Sequence, residues 1–455
     1  MVAQSVDVVV VGMGPGGEDV ASKLAEAGLS VVGIDQRLLG GECPYFGCVP
    51  SKMMIRAANV LAEGRRIADL AGGATVTPDF TPVAKRIRQD ATDDWDDTVA
   101  VERFESKGGV FVRGHGVITG PNIVTVNGDE YIARRGIVLN TGTEPNIPPI
   151  TGLADTPYWT NRDAMQLETL PASLAILGGG AIGCELSQVF ARFGVKVTVI
   201  EAAPRLLPLE EPESSQLVED AFREEGITVH TGLPASAVSH DAGGFTITLR
   251  DNGGTVQAER LLVASGRRTN LKGIGLDAVG IDEDVRHLDA DEHMRVADGV
   301  WAIGDIVGKG AFTHMSMYQA GIAIRDILGQ DGPPARYHAV PRVTFTDPEV
   351  GSVGITEEQA REQGIQVRVG RQEIQASTRG WIHKAGNSGI IKLVADEDRG
   401  VLVGATSVGP TGGEVLSALV LAVHAAVPVA KFREMIFAYP TFHRAIEAAL
   451  DDMMS

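Results

Sequence analysis

The sequence predicts an α/β protein made of two strand–turn–helix units, each built on a glycine turn, followed by a C-terminal α+β domain. Three observations predict it. The run Val6-Asp7-Val8-Val9-Val10-Val11 leads into Gly12-Met13-Gly14-Pro15-Gly16-Gly17, and a second apolar run from Leu174 leads into Gly178-Gly179-Gly180-Ala181-Ile182-Gly183. Each turn opens a helical segment, Glu18 to Ala27 and Glu185 to Phe193, and then a strand closed by an acid, Asp35 and Glu201. Beyond the linker-like Gly329 to Pro334, strand text at Val340 to Phe345, Ile390 to Val394 and Leu402 to Val408 combines with an apolar helix from Gly413 to Ala426.

The first turn fits the spacing G-x-G-x-x-G. Gly12 allows the tight turn, Gly14 lets backbone approach a pyrophosphate, and Gly17 lets helix and strand pack, so that helix N–H groups face the anion. Asp35 ends the next strand, where a carboxylate can accept hydrogen bonds from an adenosine ribose. The second turn repeats this physics with Gly178, Gly180 and Gly183. Glu201 favours a free ribose 2′-hydroxyl and repels a 2′-phosphate, which predicts NADH over NADPH; the nearby Arg205 moderates that preference. Two dinucleotide sites in one chain point to electron transfer between two cofactors.

Between the units, helical text from Lys52 to about Ser106 gives way to short strands near Val110 and Val124. Just after Asp35 comes Gly40-Gly41-Glu42-Cys43-Pro44-Tyr45-Phe46-Gly47-Cys48-Val49-Pro50-Ser51-Lys52. Two thiols five apart can close a small disulfide if the loop turns back. A helix starting near Pro50 would stabilise a Cys48 thiolate by its dipole. A metal site would need further Cys or His in this segment, and none stands there, so the pair reads as redox-active and no metal is expected. Cys184 reads as a small core residue.

Composition limits the partners. The 455 residues suffice for about three domains. The 59 acidic against 40 basic residues give a net charge of −19, which repels nucleic acid and anionic lipid. The apolar stretch Leu416 to Ala430 is interrupted by His424 and Pro428, so no membrane span is predicted. With an apolar strand beginning almost at once, no leader segment is expected either, and a cytoplasmic location is the default.

With these features the chain resembles the flavoprotein disulfide reductases, the group of dihydrolipoamide dehydrogenase, glutathione reductase, mercuric reductase and soluble transhydrogenase. The resemblance extends to Asn140-Thr141-Gly142-Thr143, Ala264-Ser265-Gly266-Arg267, Ala302-Ile303-Gly304-Asp305 and Pro341-Arg342-Val343-Thr344-Phe345-Thr346-Asp347-Pro348. It implies two Rossmann-like domains: FAD held by residues 1–145 with a return at 269–334, NAD(P)H held by 146–268, and a homodimer formed through 335–455. It implies that Thr141, Gly142 and Gly266 lie against the cofactors and that Asp305 holds the ribityl or phosphate region of the flavin. Thr313 and His314 would open a helix aimed at the flavin's pyrimidine end. Lys52 and Glu185 would pair beside the reactive ring, Cys48 would contact the flavin, and Cys43 would attack the substrate.

One departure matters. The disulfide reductases proper carry His-Pro-Thr followed by a Glu five residues after the His. Here Tyr439 stands at the His position, in Ala438-Tyr439-Pro440-Thr441-Phe442-His443-Arg444, and Arg444 stands at the Glu position. A phenol, which ordinarily titrates at about 10, is a poor base at neutral pH. His443 and Glu447 stand four apart and could pair on one helical face, making His443 a candidate replacement. The segment Pro44-Tyr45-Phe46 is also bulkier than the residues common between the family's cysteines. The sequence therefore predicts a homodimeric FAD enzyme that oxidises NAD(P)H. Its electrons would pass through Cys48–Cys43, or directly from the flavin, to a small-molecule acceptor: a disulfide, a quinone or a metal ion. Dihydrolipoamide dehydrogenase, soluble transhydrogenase and a nucleotide-responsive flavoprotein of low turnover are the alternatives.

Overall fold

Strand Ala3–Val11 is apolar because it is covered on both faces. Val9 and Val11 pack with Ile34 and Leu139 on one side, while Val8 and Val10 pack with Val20, Leu24 and Ile303 on the other. Such two-sided burial is the rule for parallel sheets flanked by crossover connections. The computed structural model describes residues 3–455 and divides them into two compact units. The first takes the chain up to Pro50, Arg86–Asn146 and Arg267–Tyr337; the second takes Ser51–Lys85, Ile147–Gly266 and His338–Ser455. The boundaries expected from sequence differ, placing 51–85 with the first domain and dividing the second unit at 268 and 335.

In the first unit, the main sheet runs in the order Arg295–Ala297, Val300–Ala302, Asp129–Leu139, Ala3–Val11, Val31–Asp35, Val110–Arg113. The four neighbouring pairs from Val300–Ala302 to Val110–Arg113 are parallel. Strand order reverses around Ala3–Val11, so the crevice at its carboxyl end is a topological switch point, where ligands bind in open α/β sheets. Helix Pro15–Glu26 starts there, with Gly14 as its N-cap and Pro15 preset for the first helical position.

One segment of this unit departs from ordinary backbone. A π-helical turn, Ile87–Ala91, runs into Asp93, Asp94 and Trp95, which all have positive φ, at 47°, 60° and 57°. Left-handed residues other than glycine cost about 1–2 kcal/mol each, with aspartate the better tolerated.

The second unit contains a four-stranded parallel sheet in the order Thr228–Thr231, Lys196–Glu201, Ser173–Leu177, Arg260–Val263, together with the antiparallel meander Ala235–Asp241, Gly244–Leu249, Thr255–Ala258. Helix Ala181–Arg192 leaves the second glycine turn. The C-terminal segment forms a five-stranded antiparallel sheet ordered Pro341–Thr344, Glu349–Gly354, Val401–Gly409, Ile390–Asp396, Val367–Glu373. Helices Gly412–His424 and Arg444–Met454 share its core, through residues such as Leu416, Leu419, Ile446 and Leu450. Lys392, buried in this sheet, meets Glu211, Glu213 and Glu357 at 2.8, 3.0 and 3.0 Å. Burial alone would raise Glu357, but Arg361 and Lys392 outweigh it and hold the carboxyl at about 2. Among the described residues no helix is long and apolar enough to cross a membrane.

Candidate active site

In the first unit the glycine turn is shaped by close backbone approach. A Cβ at Gly12, where φ is +95°, would lie 2.3 Å from the Asn140 carbonyl oxygen, and one at Gly17 would lie 2.0 Å from the Gly12 oxygen. These two glycines serve the protein's own packing. Gly14 meets only the Asn140 amide, at 3.2 Å, so its face is the one left for a ligand. Asp35 accepts hydrogen bonds from Met13 N–H and Arg37 N–H, both 2.8 Å, which locks the acid to the turn. Burial nevertheless raises its pKa above the ordinary aspartate value.

Gly12, Asp35 and Thr141 line a cavity of about 690 Å³ together with His115, Gly116 and Arg267. A carboxylate at a strand end, a glycine turn at a helix N-terminus and a cleft of this size have the chemistry and room for the adenosine half of a dinucleotide. Asp305 accepts a 2.6 Å hydrogen bond from Thr143 Oγ1, and Arg267 donates to that same hydroxyl at 2.7 Å and to the Thr143 carbonyl at 2.7 Å. Gly142 has φ +65° with open space at its Cβ position, while Thr141 donates to the Asn270 carbonyl at 2.8 Å.

The cysteines also lie in the first unit. Glu42–Tyr45 forms a single helical turn, and the next helix begins at Cys48 itself, two residues before the expected start. Cys48 is exposed and Cys43 half-buried, and both are free thiols. The Cys48 sulfur is hydrogen-bonded to Thr313 Oγ1 at 3.4 Å, and Thr313 opens helix Thr313–Leu328. Cys48 thus stands at the N-termini of two helices, whose dipoles favour a thiolate. Its hydrogen bond to Cys43, with burial, pushes the Cys43 thiol upward. His314 follows Thr313 and stacks on Phe312, with ring centroids 5.1 Å apart.

In the second unit Gly178 and Gly183 are packing glycines: their Cβ atoms would lie 2.4 Å from the Ala264 oxygen and 1.9 Å from the Gly178 oxygen. Gly180 and Gly266 face open space. Glu201 accepts from Gly179 N–H at 2.5 Å and Ala203 N–H at 2.6 Å. The Cys184 thiol is buried and donates to the Gly179 carbonyl at 3.2 Å.

Lys52 and Glu185 pair at 2.8 Å, and Glu185 is nearly buried. Its other oxygen accepts the Phe345 N–H at 2.9 Å, and the Lys52 ammonium sits 4.7 Å from the Phe345 ring centre. Phe345, which the sequence offers only as part of a motif, orients both members of the pair. Asp347, two residues on, exchanges backbone hydrogen bonds with the Gln188 amide and binds the buried Arg192 at 2.8 Å.

Tyr439 is 64% exposed, with the Arg444 guanidinium 5.3 Å from its ring centre. The anticipated His443–Glu447 pair does not form. Glu447 pairs with Arg444 at 3.1 Å, because that cation stands three residues earlier on the same helix and carries a fixed charge. His443 caps the helix Arg444–Met454 through its backbone.

Comparison with known proteins agrees with this geometry. Residues 6–321 match the pyridine nucleotide-disulphide oxidoreductase family and residues 340–450 its dimerisation domain. Dihydrolipoyl dehydrogenase of Chlorobaculum tepidum is 34% identical, over 100% of this chain and 98% of its own length. A mercuric reductase of Bacillus cereus is 30% identical over 98% of this chain and 71% of its own. Among solved structures, a Cu(II) complex of the HOCl-induced flavoprotein disulfide reductase RclA from Escherichia coli superposes with a TM-score of 0.85 at 26% identity, covering 98% of this chain and 99% of that one. LpdA of Mycobacterium tuberculosis gives 0.86 at 25%, covering 99% and 100%. The chain therefore belongs to the pyridine nucleotide-disulphide oxidoreductases, FAD- and NAD(P)H-dependent enzymes, and carries the domain through which they dimerise.

Proposed function

We propose that this enzyme oxidises NADH at the second glycine turn and passes the electrons through FAD, held at the first, to the Cys48–Cys43 pair. From there they leave to an acceptor that needs no proton delivered to a departing thiolate: a quinone or a thiophilic metal ion. The observation that carries the reading is Cys48 at two helix N-termini, hydrogen-bonded to Thr313 and beside a Cys43 whose thiol is pushed upward by Cys48 and by burial. That arrangement suits one sulfur facing a flavin as thiolate and the other meeting the acceptor as thiol or disulfide.

Gly12, Gly14, Gly17, Asp35, Thr141, Gly142, Asp305, Thr313 and His314 are the residues proposed to hold FAD. FAD supplies the two-electron carrier between nicotinamide and sulfur. Gly178, Gly180, Gly183, Glu201 and Gly266 are proposed for the coenzyme. Glu201 favours the unphosphorylated ribose, and Arg205 is engaged elsewhere. Its guanidinium donates to the carbonyls of Leu207 and Pro208 at 3.1 and 2.9 Å, and to Ser215 at 2.8 Å. A cation so occupied is poorly placed to welcome a 2′-phosphate. The Lys52–Glu185 pair, fixed by Phe345, is proposed as the charge pair beside the reactive ring.

The acceptor class rests on Tyr439 and on the pairing of Glu447 with Arg444, which leaves no histidine–carboxylate pair in this segment for disulfide chemistry. General acid–base help is worth about 10² to 10⁴ in rate, so lipoamide turnover is expected to be slow by that order. Dihydrolipoamide dehydrogenase is the second reading, favoured by the Chlorobaculum relative at 34% identity.

Anaerobic reduction with NADH, followed by its visible spectrum, tests the relay. A long-wavelength thiolate-to-flavin band is expected; simple bleaching would remove the cysteines from the path. Cys43→Ser is then expected to abolish turnover with FAD retained. Undiminished quinone reduction by this variant would sink an obligatory disulfide step.

A further inference from the structure

The strained turn at Asp93–Trp95 has no part in the electron path described so far, yet it reaches the redox loop. Trp95 Nε1 donates a 3.2 Å hydrogen bond to the backbone carbonyl of Tyr45, which lies between the two cysteines. Glu42–Tyr45 is too short a helix to satisfy its own last carbonyls, so the indole supplies a partner that the local chain cannot. The indole is presented from a left-handed backbone, and neighbouring groups hold that backbone. Thr92 Oγ1 donates to the Ile87 carbonyl at 3.1 Å and accepts Trp95 N–H at 3.4 Å, and Asp94 pairs with Arg88 at 2.6 Å. Two residues on, Asp97 accepts the Leu39 N–H at 2.6 Å and pairs with Arg113 at 2.7 Å, which ties the segment to the chain entering the cysteine loop. Tyr45 itself is buried, 6% exposed. Strain kept in place by such over-determination points to a role.

We propose that Trp95 is a positioning residue for the Cys43–Cys48 loop: its indole N–H braces the backbone between the two sulfurs in the reduced loop, and so sets the equilibrium between the reduced pair and the disulfide. The inference rests on that pair being redox-active. The couple is the disulfide plus two electrons and one proton giving a Cys43 thiol and a Cys48 thiolate, with the electrons supplied by reduced flavin. A hydrogen bond made by the reduced loop and weakened on disulfide closure makes the disulfide a better electron acceptor.

The test is Trp95→Phe, which keeps a ring and removes the donor. The FAD-loaded protein is equilibrated with mixtures of reduced and oxidised dithiothreitol, and Cys43 and Cys48 are trapped with a thiol alkylating reagent and counted by mass. Loss of one hydrogen bond should move the equilibrium constant about fivefold toward the disulfide, with FAD content unchanged. A constant within twofold of the unaltered protein would overturn the proposal. If Trp95→Phe does not hold FAD, hydrogen–deuterium exchange on the unaltered protein decides. Coupled changes in protection at residues 42–47 and 93–98 on reduction of the disulfide are expected, and a silent 93–98 segment would overturn the proposal. The unaltered protein separates the two claims. A pair that never cycles there defeats the functional reading, whereas a cycling pair indifferent to Trp95 defeats only this inference.

Discussion

The two glycine turns use one device in two different settings. In each, the acid at the end of the following strand reaches back to the N–H of the residue after the first glycine: Asp35 to Met13 and Glu201 to Gly179. In each, the third motif glycine packs against the carbonyl of the first. Their surroundings differ. Around the first turn Gly16 and Gly17 are buried, and a Cβ at Gly16 would lie 2.1 Å from the Ser316 hydroxyl of helix Thr313–Leu328. At the second, Ala181 and Ile182 are exposed at the mouth of the helix and Gly180 faces open space. An enclosed turn suits a cofactor that stays, and an open turn suits a coenzyme that enters and leaves with each turnover. The glycine spacing is common to both and is silent on that distinction.

The largest expected effect that could break this comparison comes from Gly12→Ala against Gly183→Ala. Both introduce a Cβ into backbone, at 2.3 and 1.9 Å, and Gly12 also has φ +95°. If the first turn holds the resident cofactor, Gly12→Ala should purify without flavin or fail to accumulate. Gly183→Ala should keep its flavin colour but lose reduction by NADH roughly a hundredfold or more. Flavin content and stopped-flow reduction read the two, and the reverse pattern would exchange the assignments.

Next comes Glu201→Gln. Removing the charge should shift the ratio of kcat/KM for NADH over NADPH by roughly tenfold toward NADPH, about the worth of one charged hydrogen bond. A ratio that stays put would mean that Glu201 serves only to brace the turn.

The smallest effect is expected where a ligand, rather than the protein, needs the glycine. Gly180→Ala has ordinary backbone and free space around it. Its Tm should change by only a degree or two, since the interior is untouched, while KM for NADH rises several-fold. A large drop in Tm with unchanged KM would show that Gly180 is structural like its neighbours.

Much of this site lies in contiguous sequence. Gly12 to Gly17, Gly178 to Gly183, Asp35, Glu201 and the thiols are read directly, because each works through neighbours a few positions away or through a strand–turn–helix unit that carries its own register. The five antiparallel strands of the C-terminal sheet were legible only in part, since Glu349–Gly354 and Val367–Glu373 lack a strong alternation of apolar and polar residues. Phe345, which orients Glu185 across 160 positions, was visible as a motif without a role. Trp95 gave no local signal, because its function depends on a carbonyl 50 residues away and on a backbone conformation disfavoured by its own side chain.

By itself the sequence determined the fold class, the family, the two glycine turns and the presence of a cysteine pair. These follow from local spacing, from the period of apolar residues and from charge balance, none of which requires distant segments to meet. Only the tertiary structure decided that Cys48 stands at two helix N-termini, that Cys48 and burial push the Cys43 thiol upward, that Glu447 turns to Arg444 rather than His443, and that the first turn is enclosed while the second is open. Each depends on side chains far apart in sequence arriving within a few ångströms, where hydrogen bonding, burial and charge act over distances that linear spacing does not encode.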